Sequence, residues 1–378
     1  MPKVVHVVGA RPNFIKAAPV MAALERGGGI TQRLIHTGQH YDDALSRVFF
    51  DELRLPRPDQ DLGVGSGTHA AQTAAVLLRL EPILVAERPD LVVVIGDVNS
   101  TLAAALVAAK LGIPVAHLEA GLRSFDRRMP EETNRVVADH LSALLLAPTD
   151  TAAANLAREG LPPAAIATVG NVAIDTLLAH RAGAPWDDVR RTLSIEDRRY
   201  AVLTLHRPSN VDDPGRLRAL LEEVVRAAGS WPVLFPVHPR TARQLAAAGL
   251  EGAGLEGAGL DGAGLTGSGS GLRVCDPLGY RAFVALMDHA ACVFTDSGGI
   301  QAETTVLGVP CLTLRDTTEW PETTSSGTNT LVGTDLDMLG LWVAAALGEP
   351  RASTPIPSWD GHAADRAADA IRAWLAAR

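Results

Sequence analysis

The chain has 378 residues and a net charge of −9, and 47 % of its residues are apolar while 20 % are charged. This length exceeds what one hydrophobic core usually serves, so the sequence predicts two domains, and the composition excludes a disordered chain. The basic residues are scattered, which argues against a nucleic-acid partner. Because no signal peptide opens the chain and no apolar run approaches a membrane span, we expect a cytoplasmic protein with no membrane partner.

Three cysteines, Cys275, Cys292 and Cys311, follow no spacing typical of metal ligands. Their number is odd, and two of them lie in apolar runs that are typical of strands. We therefore expect buried, reduced thiols and no metal site.

Short β-branched runs alternate with longer segments of helical period, which is typical of βαβ units and a parallel sheet. In the first part of the chain the predicted strands are Val4–Val8, Arg33–His36, Leu91–Ile95, Val115–Leu118 and Ala143–Leu146. The predicted helices are Phe14–Arg26, Ala70–Glu87 and Thr101–Lys110.

Near residue 170 the pattern begins again. The predicted strands of this second set are Tyr200–Leu205, Val233–Val237, Ala291–Thr295 and Pro310–Leu314, with helices over Gly215–Ala228, Tyr280–Asp288 and Ile300–Leu307. The fold class is therefore α/β, with two Rossmann-like parallel-sheet domains over residues 1–170 and 171–361. An amphipathic helix within 362–378 is expected to pack back on the first domain.

Residues 249–272 repeat Gly-Leu-Glu-Gly-Ala with a period of five. This glycine content opposes regular structure, and a leucine spacing of five fits neither helix nor strand. We interpret the segment as an expanded surface loop inserted in the second domain.

In parallel sheets, ligands bind at the carboxyl ends of the strands, and polar residues follow most of the predicted strands here. In the first half these residues are Arg11 and Lys16, Gln39 and His40, Asp97, Glu119, and then Glu131 and Arg135. Each has an ordinary structural alternative. Asp97 can cap a helix, and one of Glu131 and Glu132 can serve only the dipole of a first helical turn.

The second half repeats this arrangement with His206 and His238 after two successive strands. The strongest single motif is Thr295-Asp296-Ser297-Gly298-Gly299-Ile300-Gln301, followed by Glu303. A strand that ends in Ser-Gly-Gly and opens a helix presents backbone N–H groups to an anion, so it predicts a diphosphate site. Glu303 is placed to accept from ribose hydroxyls, and Arg315 follows the next strand.

These motifs resemble those of the non-hydrolysing UDP-N-acetylglucosamine 2-epimerases, and the similarity runs nearly end to end. The motifs that carry it are Gly9-Ala10-Arg11-Pro12, Gly38-Gln39-His40, Gly96-Asp97, His117-Leu118-Glu119-Ala120-Gly121-Leu122-Arg123, Pro130-Glu131-Glu132-Thr133-Asn134-Arg135, His206-Arg207, His238-Pro239, Asp296-Ser297-Gly298-Gly299-Ile300-Gln301 and Leu331-Val332-Gly333-Thr334.

The resemblance implies a glycosyltransferase-B type fold with UDP and the active site in the interdomain cleft, and a homodimer. It also implies reversible conversion of UDP-N-acetylglucosamine to UDP-N-acetylmannosamine, by elimination of UDP to a glycal and re-addition. That chemistry needs carboxylates and cations and no cofactor or metal.

By the same resemblance, the acid/base residues are Asp97, Glu119 and Glu131, with His206 at the reacting centre. The residues implied for the substrate and UDP are Arg11, Lys16, Arg135, His238, Ser297, Gly298, Gly299, Glu303 and Arg315. Gln39 and His40 correspond to the place of a second, activating substrate molecule.

The sequence departs from the family at Ser209, where Glu is common, at Trp320, where many members carry Arg, and in the glycine-rich insertion. Three alternatives stay open. One is a hydrolysing relative that releases N-acetylmannosamine and UDP, and another is an epimerase of a UDP-diacetamido uronic acid. The third is a glycosyltransferase of the same fold, which has little use for the three acids.

Overall fold

The computed structural model describes residues 1–38, 50–237, 239–247, 271–333, 336–348 and 354–378. The candidate residues Gln39, His40 and His238 lie outside the described residues, as does most of the glycine-rich repeat. Contacts divide the described chain into two compact units. Unit 1 comprises Met1–Ala179 and Pro357–Arg378, and unit 2 comprises His180–Ile356.

Unit 1 contains a seven-stranded parallel sheet of order β3-β2-β1-β4-β5-β6-β7. Its strands are β1 (Lys3–Val8), β2 (Thr31–His36), β3 (Gln60–Asp61), β4 (Leu91–Ile95), β5 (Val115–Leu118), β6 (Leu144–Ala147) and β7 (Ile166–Thr168). The near-continuous apolar runs of β1, β4 and β5 are buried, as expected for strands covered on both faces.

The α-helices of unit 1 are α1 (Arg11–Gly27), α2 (His69–Glu87), α3 (Asn99–Lys110), α4 (Pro130–Leu141), α5 (Asp150–Arg158), α6 (Val172–Arg181, which runs into unit 2) and α15 (Ala363–Ala376). The core of one face joins Val5 and Val94 of the sheet to Leu80 and Leu84 of α2. Because no helix of the described residues combines sufficient length with sufficient apolarity, none qualifies as a membrane span.

Polar contacts near both ends of helix α15 hold it against the rest of unit 1. Asp175 of α6 accepts from the first N–H groups of α15, at 3.2 Å from Ala363 N and 2.7 Å from Ala364 N. Near the other end, Arg372 donates to the carbonyl oxygen of Gly28 at 2.7 Å. These bonds satisfy groups that a helix terminus leaves without intrahelical partners.

Unit 2 contains a six-stranded parallel sheet of order β10-β9-β8-β11-β12-β13. Its strands are β8 (Ala201–Thr204), β9 (Pro232–Pro236), β10 (Gly271–Cys275), β11 (Cys292–Thr295), β12 (Cys311–Thr313) and β13 (Asn329–Leu331). Its helices are α7 (Trp186–Thr192), α8 (Pro208–Val211), α9 (Pro214–Ala228), α10 (Pro239–Ala247), α11 (Tyr280–Asp288), α12 (Gly298–Leu307), α13 (Pro321–Ser325) and α14 (Leu339–Gly348). Cys292 and Cys311 are buried in β11 and β12, and all three thiols are free.

The structure confirms the predicted α/β class with two parallel sheets, and it corrects several element boundaries. Helix α1 begins at Arg11 and helix α3 at Asn99, in both cases earlier than predicted. Proline fits the first turn of a helix, as in α1, and the polar residues at the start of α3 are also compatible with a first helical turn. Four strands were not predicted: β3, β7 and β13 have only two or three residues and show no β-branched run. The fourth, β10, corrects the end of the insertion, since residues 271 and 272 belong to a strand.

Candidate functional site

Three neighbouring strands of unit 1 end together. Val7 pairs with Val94, and Val94 pairs with His117, so the turns after β1, β4 and β5 meet at one edge of the sheet. The strand order changes direction between β1 and β4, which is where ligands bind in open α/β sheets. The turn after β1 passes very close to α3, since a Cβ on Gly9 would lie 2.6 Å from Ser100 Cβ. Arg11 opens α1 immediately beyond this turn, whose N–H groups at Gly9 and Ala10 bond Asn13 Oδ1 at 2.9 and 3.1 Å.

Glu119 follows β5 in a strained backbone conformation, with φ of +77°. Left-handed backbone is uncommon for residues other than glycine and is concentrated at functional sites. Its carboxylate pairs with Lys16 Nζ from α1, and both side chains are mostly buried. Gly96 lies alongside, because a Cβ there would sit 3.3 Å from Glu119 Oε2 and 3.7 Å from Lys16 Nζ. Lys16 and Glu119, named from different motifs, are thus brought into contact.

A second carboxylate–cation pair lies next to the first, because Asp97 follows Gly96 directly. Asp97 Oδ2 accepts from Arg135 Nη2, and the side chain of Arg135 is buried. The other Nη of Arg135 donates to Glu132 Oε2 at 2.7 Å. Asn134 Nδ2 also donates to the backbone oxygen of Asp97 at 2.8 Å, so α4 contacts both the carboxylate and the backbone of Asp97.

The structure separates the roles of Glu131 and Glu132 in the first turn of α4. Glu132 is buried, and its carboxylate accepts from Ser124 N, Ser124 Oγ and Phe125 N, each at 3.0 Å. These bonds hold the loop that follows β5, including Phe125 at φ of +59°. Glu132 is therefore the structural member of the pair, and Glu131, which is only half-buried, remains the candidate for chemistry.

A fully buried ionic network lies beneath the two acids. His117 Nε2 donates to the Gly96 carbonyl oxygen at 2.7 Å, and Nδ1 lies 2.6 Å from Asp139 Oδ1. Burial by itself would raise the pKa of Asp139, but the charges of His117 and Arg123 and their hydrogen bonds hold it below its usual range. Asp139 Oδ2 also accepts from Gly121 N at 3.1 Å. The network thus fixes the backbone on both sides of Glu119 and before Asp97.

In unit 2 the turns after β8 and β11 meet in the same way, since Thr204 pairs with Thr295. Asp296, which follows β11, is fully buried, and it accepts at Oδ1 from His206 Nδ1 at 2.8 Å. Burial would raise the pKa of Asp296, but the charge of His206, together with hydrogen bonds from His206, Arg207 and Asn210, lowers it. The candidate His206 is thus oriented by a carboxylate.

Ser297, Gly298 and Gly299 form the start of the ten-residue helix α12, as predicted from the sequence. Glu319 lies against this turn, because a Cβ on Gly298 would be 3.3 Å from Glu319 Oε2. Arg315 forms a bidentate ion pair with Glu319, in which Nη1 donates to Oε2 at 3.0 Å and Nη2 donates to Oε1 at 2.7 Å. The candidate cation Arg315 is therefore buried against a carboxylate beside the N-terminal end of α12, which is the end of a helix that favours an anion.

Glu303 lies one turn further along α12 and is buried. Its Oε1 accepts from the hydroxyl of Tyr280 at 3.1 Å. Burial, together with the charge of Glu303, raises the pKa of Tyr280 well above its usual value, so Tyr280 stays protonated and donates.

Trp320, one of the positions at which the sequence departs from the family that it resembles, is almost fully buried. Its indole Nε1 would be 3.5 Å from a Cβ on Gly298. The exchange thus places an aromatic ring against the start of α12.

The sequence analysis assigned no individual role to Asp139, Asp296 or Glu319. It also did not predict that Glu132 accepts hydrogen bonds from the loop after β5. The partners of Asp139 and Asp296 are distant in sequence, so no local spacing identifies these two acids. Glu132 and Glu319 instead pair with arginines three and four residues away. The available signal was an acid at a strand end, as at Asp296.

The chain is similar to known proteins over almost its whole length. A family model described as UDP-N-acetylglucosamine 2-epimerase matches residues 22–372. The UDP-N-acetylglucosamine 2-epimerase of Methanocaldococcus jannaschii is 42 % identical over 350 residues, which are 91 % of this chain and 92 % of the relative. The UDP-2,3-diacetamido-2,3-dideoxy-D-glucuronate 2-epimerase of Pseudomonas aeruginosa is 40 % identical over 352 residues, 92 % of this chain and 93 % of the relative.

Solved structures agree. The crystal structure of the M. jannaschii epimerase in complex with UDP-GlcNAc and UDP matches with a TM-score of 0.89 and 41 % identity, covering 98 % of this chain and 99 % of that one. A lipopolysaccharide outer core galactosyltransferase matches with a TM-score of 0.52 at 13 % identity, covering 99 % and 100 % of the two chains, and this likeness concerns the fold alone. The expected likeness to glycosyltransferase folds is confirmed.

Proposed function

Because the chain belongs to the UDP-N-acetylglucosamine 2-epimerase family, we propose that it interconverts UDP-N-acetylglucosamine and UDP-N-acetylmannosamine without hydrolysis. The observation that carries this proposal is the paired arrangement of Asp97 with Arg135 and Glu119 with Lys16 at one edge of the unit 1 sheet. A site that moves protons at carbon needs fixed carboxylates, and a site that releases a diphosphate needs fixed cations.

The reaction divides into an elimination and its reversal. A carboxylate takes the proton from C2, the C2–H electron pair becomes the C1=C2 bond of the glycal, and the C1–O pair leaves with UDP. Re-addition of UDP at C1 with protonation of C2 from the other face gives the epimer. We assign proton transfer to Asp97, Glu119 and Glu131, because two faces of one sugar ring require more than one positioned acid or base.

In this proposal the cations of unit 1 both position the carboxylates and stabilise developing negative charge. Lys16 and Arg135 hold Glu119 and Asp97 in place, and Arg11 opens α1 at the end of β1. Positive charge here also favours the negative charge that develops as the diphosphate departs.

In unit 2 we assign the diphosphate to the start of α12, with Ser297, Gly298 and Gly299, and to Arg315. Backbone N–H groups at a helix start, with a guanidinium beside them, suit a phosphate group. We assign the ribose hydroxyls to Glu303, because its Oε1 is already oriented by Tyr280. His206 is assigned to the leaving group, and His238 keeps its sequence-based assignment to the same ligand.

Proton NMR of UDP-N-acetylglucosamine with the enzyme in deuterated water tests the function. We expect UDP-N-acetylmannosamine with deuterium at C2. Accumulation of free N-acetylmannosamine and UDP would instead identify a hydrolysing enzyme, and an unchanged substrate would overturn the proposed substrate. In that last case a UDP-diacetamido uronic acid is the next compound to test, since the P. aeruginosa relative is named for it.

The acid assignments are tested by Asp97→Asn, Glu119→Gln and Glu131→Gln, with the exposed Glu222→Gln in unit 2 as a matched control. Each site variant should lose about 10²–10⁴-fold in kcat while UDP still binds, and the control should keep wild-type turnover. Near-normal turnover in all three would overturn the assignment.

We also infer that the protein is a homodimer formed through α2 and α4. Leu78 and Val85 of α2 are 74 % and 53 % exposed, and Val137 of α4 is 36 % exposed. A concavity of about 410 Å³ is lined by residues of α2, α3 and α4 that include Leu77 and Leu102. Leu78 and Val85 lie two turns apart on one face of α2, and exposed apolar surface of this kind is typical of subunit interfaces.

Light scattering on the purified protein tests the dimer. Leu78→Arg should shift the mass toward the monomer. Leu341→Arg, which charges another strongly exposed leucine, in unit 2, should leave the mass unchanged. A wild-type monomer at micromolar concentration would overturn the inference.

A further inference from the structure

His206 of unit 2 is hydrogen-bonded to the carboxylate of Asp296, which is more deeply buried than the histidine itself. The side chain of His206 is 52 % exposed, whereas that of Asp296 is fully buried. Asp296 also accepts from the backbone N–H groups of His206 and Arg207, at 3.1 and 2.9 Å, and from Asn210 Nδ2 at 3.1 Å. The carboxylate therefore fixes both the backbone and the ring of the residue that carries the imidazole.

The hydrogen-bond chemistry decides which nitrogen of His206 is left for a ligand. An ionised carboxylate only accepts, so Nδ1 must carry its proton toward Asp296, and Nε2 is the ring nitrogen that remains to meet a ligand.

The other charged groups nearby are already engaged with each other. Arg315 pairs with Glu319, and Arg207 Nη2 lies 4.0 Å from the same carboxylate. Asn210, from α8, is neutral and ties Asp296 to the Leu314 carbonyl oxygen at 3.2 Å. Asp296 is thus the carboxylate that contacts His206 directly, while Glu319 serves the two arginines.

We propose that Asp296 is a positioning residue that holds the Nδ1–H of His206 toward itself, so that Nε2 faces the departing diphosphate and donates to it when the ring carries protons on both nitrogens. This inference rests on the proposed function, because it assigns His206 to the leaving group. In the elimination the C1–O electron pair moves to the diphosphate oxygen, and the His206 hydrogen bond stabilises that negative charge. In the reverse direction the same bond orients UDP for addition to the glycal.

A purely structural role for Asp296 makes a different prediction. If its carboxylate only secured the loop after β8, its loss would lower stability and UDP binding whether or not residue 206 had an imidazole. If it acts through His206, its effect on turnover requires that imidazole. A double-mutant comparison separates the two cases.

The experiment compares wild type with Asp296→Asn, His206→Ala and the double variant, and uses Asp213→Asn as a matched control. Asp213 is exposed and caps α9 through Arg216 N at 2.6 Å, a task that asparagine also performs. We expect Asp296→Asn to lower kcat by about 10²-fold with a KM change below about threefold.

In the His206→Ala background the same Asp296→Asn change should cost less than about threefold in kcat. An equal loss in both backgrounds would overturn the proposal in favour of a structural role. UDP binding measured by calorimetry, and thermal unfolding, report whether each variant is folded. If Asp296→Asn does not fold, Asn210→Ala removes one donor to Asp296, and its smaller loss of kcat must likewise disappear without His206.

A readout without turnover separates this proposal from the proposed function. In ¹⁵N-histidine NMR spectra of the wild-type protein, His206 should carry a proton on Nδ1 above the pH at which it loses its charge, and Asp296→Asn should abolish that preference. If wild type converts no UDP-N-acetylglucosamine, the proposed function fails while this spectrum still tests the contact. A wild-type His206 protonated on Nε2 alone would overturn the positioning role.

Discussion

Glu131 and Glu132 are adjacent acids, but the structure predicts that replacing Glu132 lowers stability whereas replacing Glu131 lowers turnover. The carboxylate of Glu132 accepts from Ser124 N, Ser124 Oγ, Phe125 N and Arg135 Nη1, at 3.0, 3.0, 3.0 and 2.7 Å. In Glu132→Gln the amide offers one oxygen and turns an NH₂ group toward donors. At least one buried donor therefore loses its acceptor, and Arg135 loses a charge partner.

An unsatisfied buried donor costs about 1–3 kcal/mol, and breaking a buried ion pair costs about 3–5 kcal/mol. Because Arg135 keeps Asp97 as a partner, we expect a loss at the lower end, about 3 kcal/mol. For a domain of this size that corresponds to a fall in Tm of roughly 6–12 °C. Glu131→Gln leaves these four bonds in place, so it should lose turnover with a smaller fall in Tm than Glu132→Gln.

Thermal unfolding followed by circular dichroism, with kcat measured on the same samples, checks this pair. Turnover alone does not separate the two residues, because loosening Arg135 also disturbs Asp97. The reasoning is refuted if Glu132→Gln melts within about 1 °C of wild type, or if Glu131→Gln is the less stable of the two.

Two further variants report on the backbone around the site and on the sheet. Gly9→Ala places a Cβ 2.6 Å from Ser100 Cβ, so we expect about 1–3 kcal/mol of destabilisation and a lower kcat, measured by urea unfolding and turnover. Burial lowers the pKa of His6 from 6.5 to about 4, although the hydrogen bond that His6 Nε2 donates to Gln32 Oε1 acts to raise it. His6 therefore stabilises the fold above pH 6.5, and this contribution is lost as the pH falls toward 4, by about 2 kcal/mol at pH 5. His6→Leu should flatten that part of the stability–pH curve, whereas substituting the exposed His362 should leave its shape unchanged.

The local pattern of the chain was sufficient for its long elements. Strands β1 and β4 are near-continuous β-branched runs, and α9 has an apolar face at helical spacing, so each is encoded within its own ten or fifteen residues. The short strands β3, β7 and β13 form because a neighbouring strand offers an unpaired edge, and no local signal marks them.

The candidate site shows the same division. The sequence determined that acids, cations and a Ser-Gly-Gly turn follow successive strands, because parallel strands deliver their carboxyl ends to one edge of a sheet. Only the tertiary structure decided that Lys16 pairs with Glu119, that Arg135 pairs with Asp97, and that Asp296 supports His206. These partners lie 38 to 103 residues apart, and it is strand order, not spacing in the chain, that brings them within hydrogen-bonding distance.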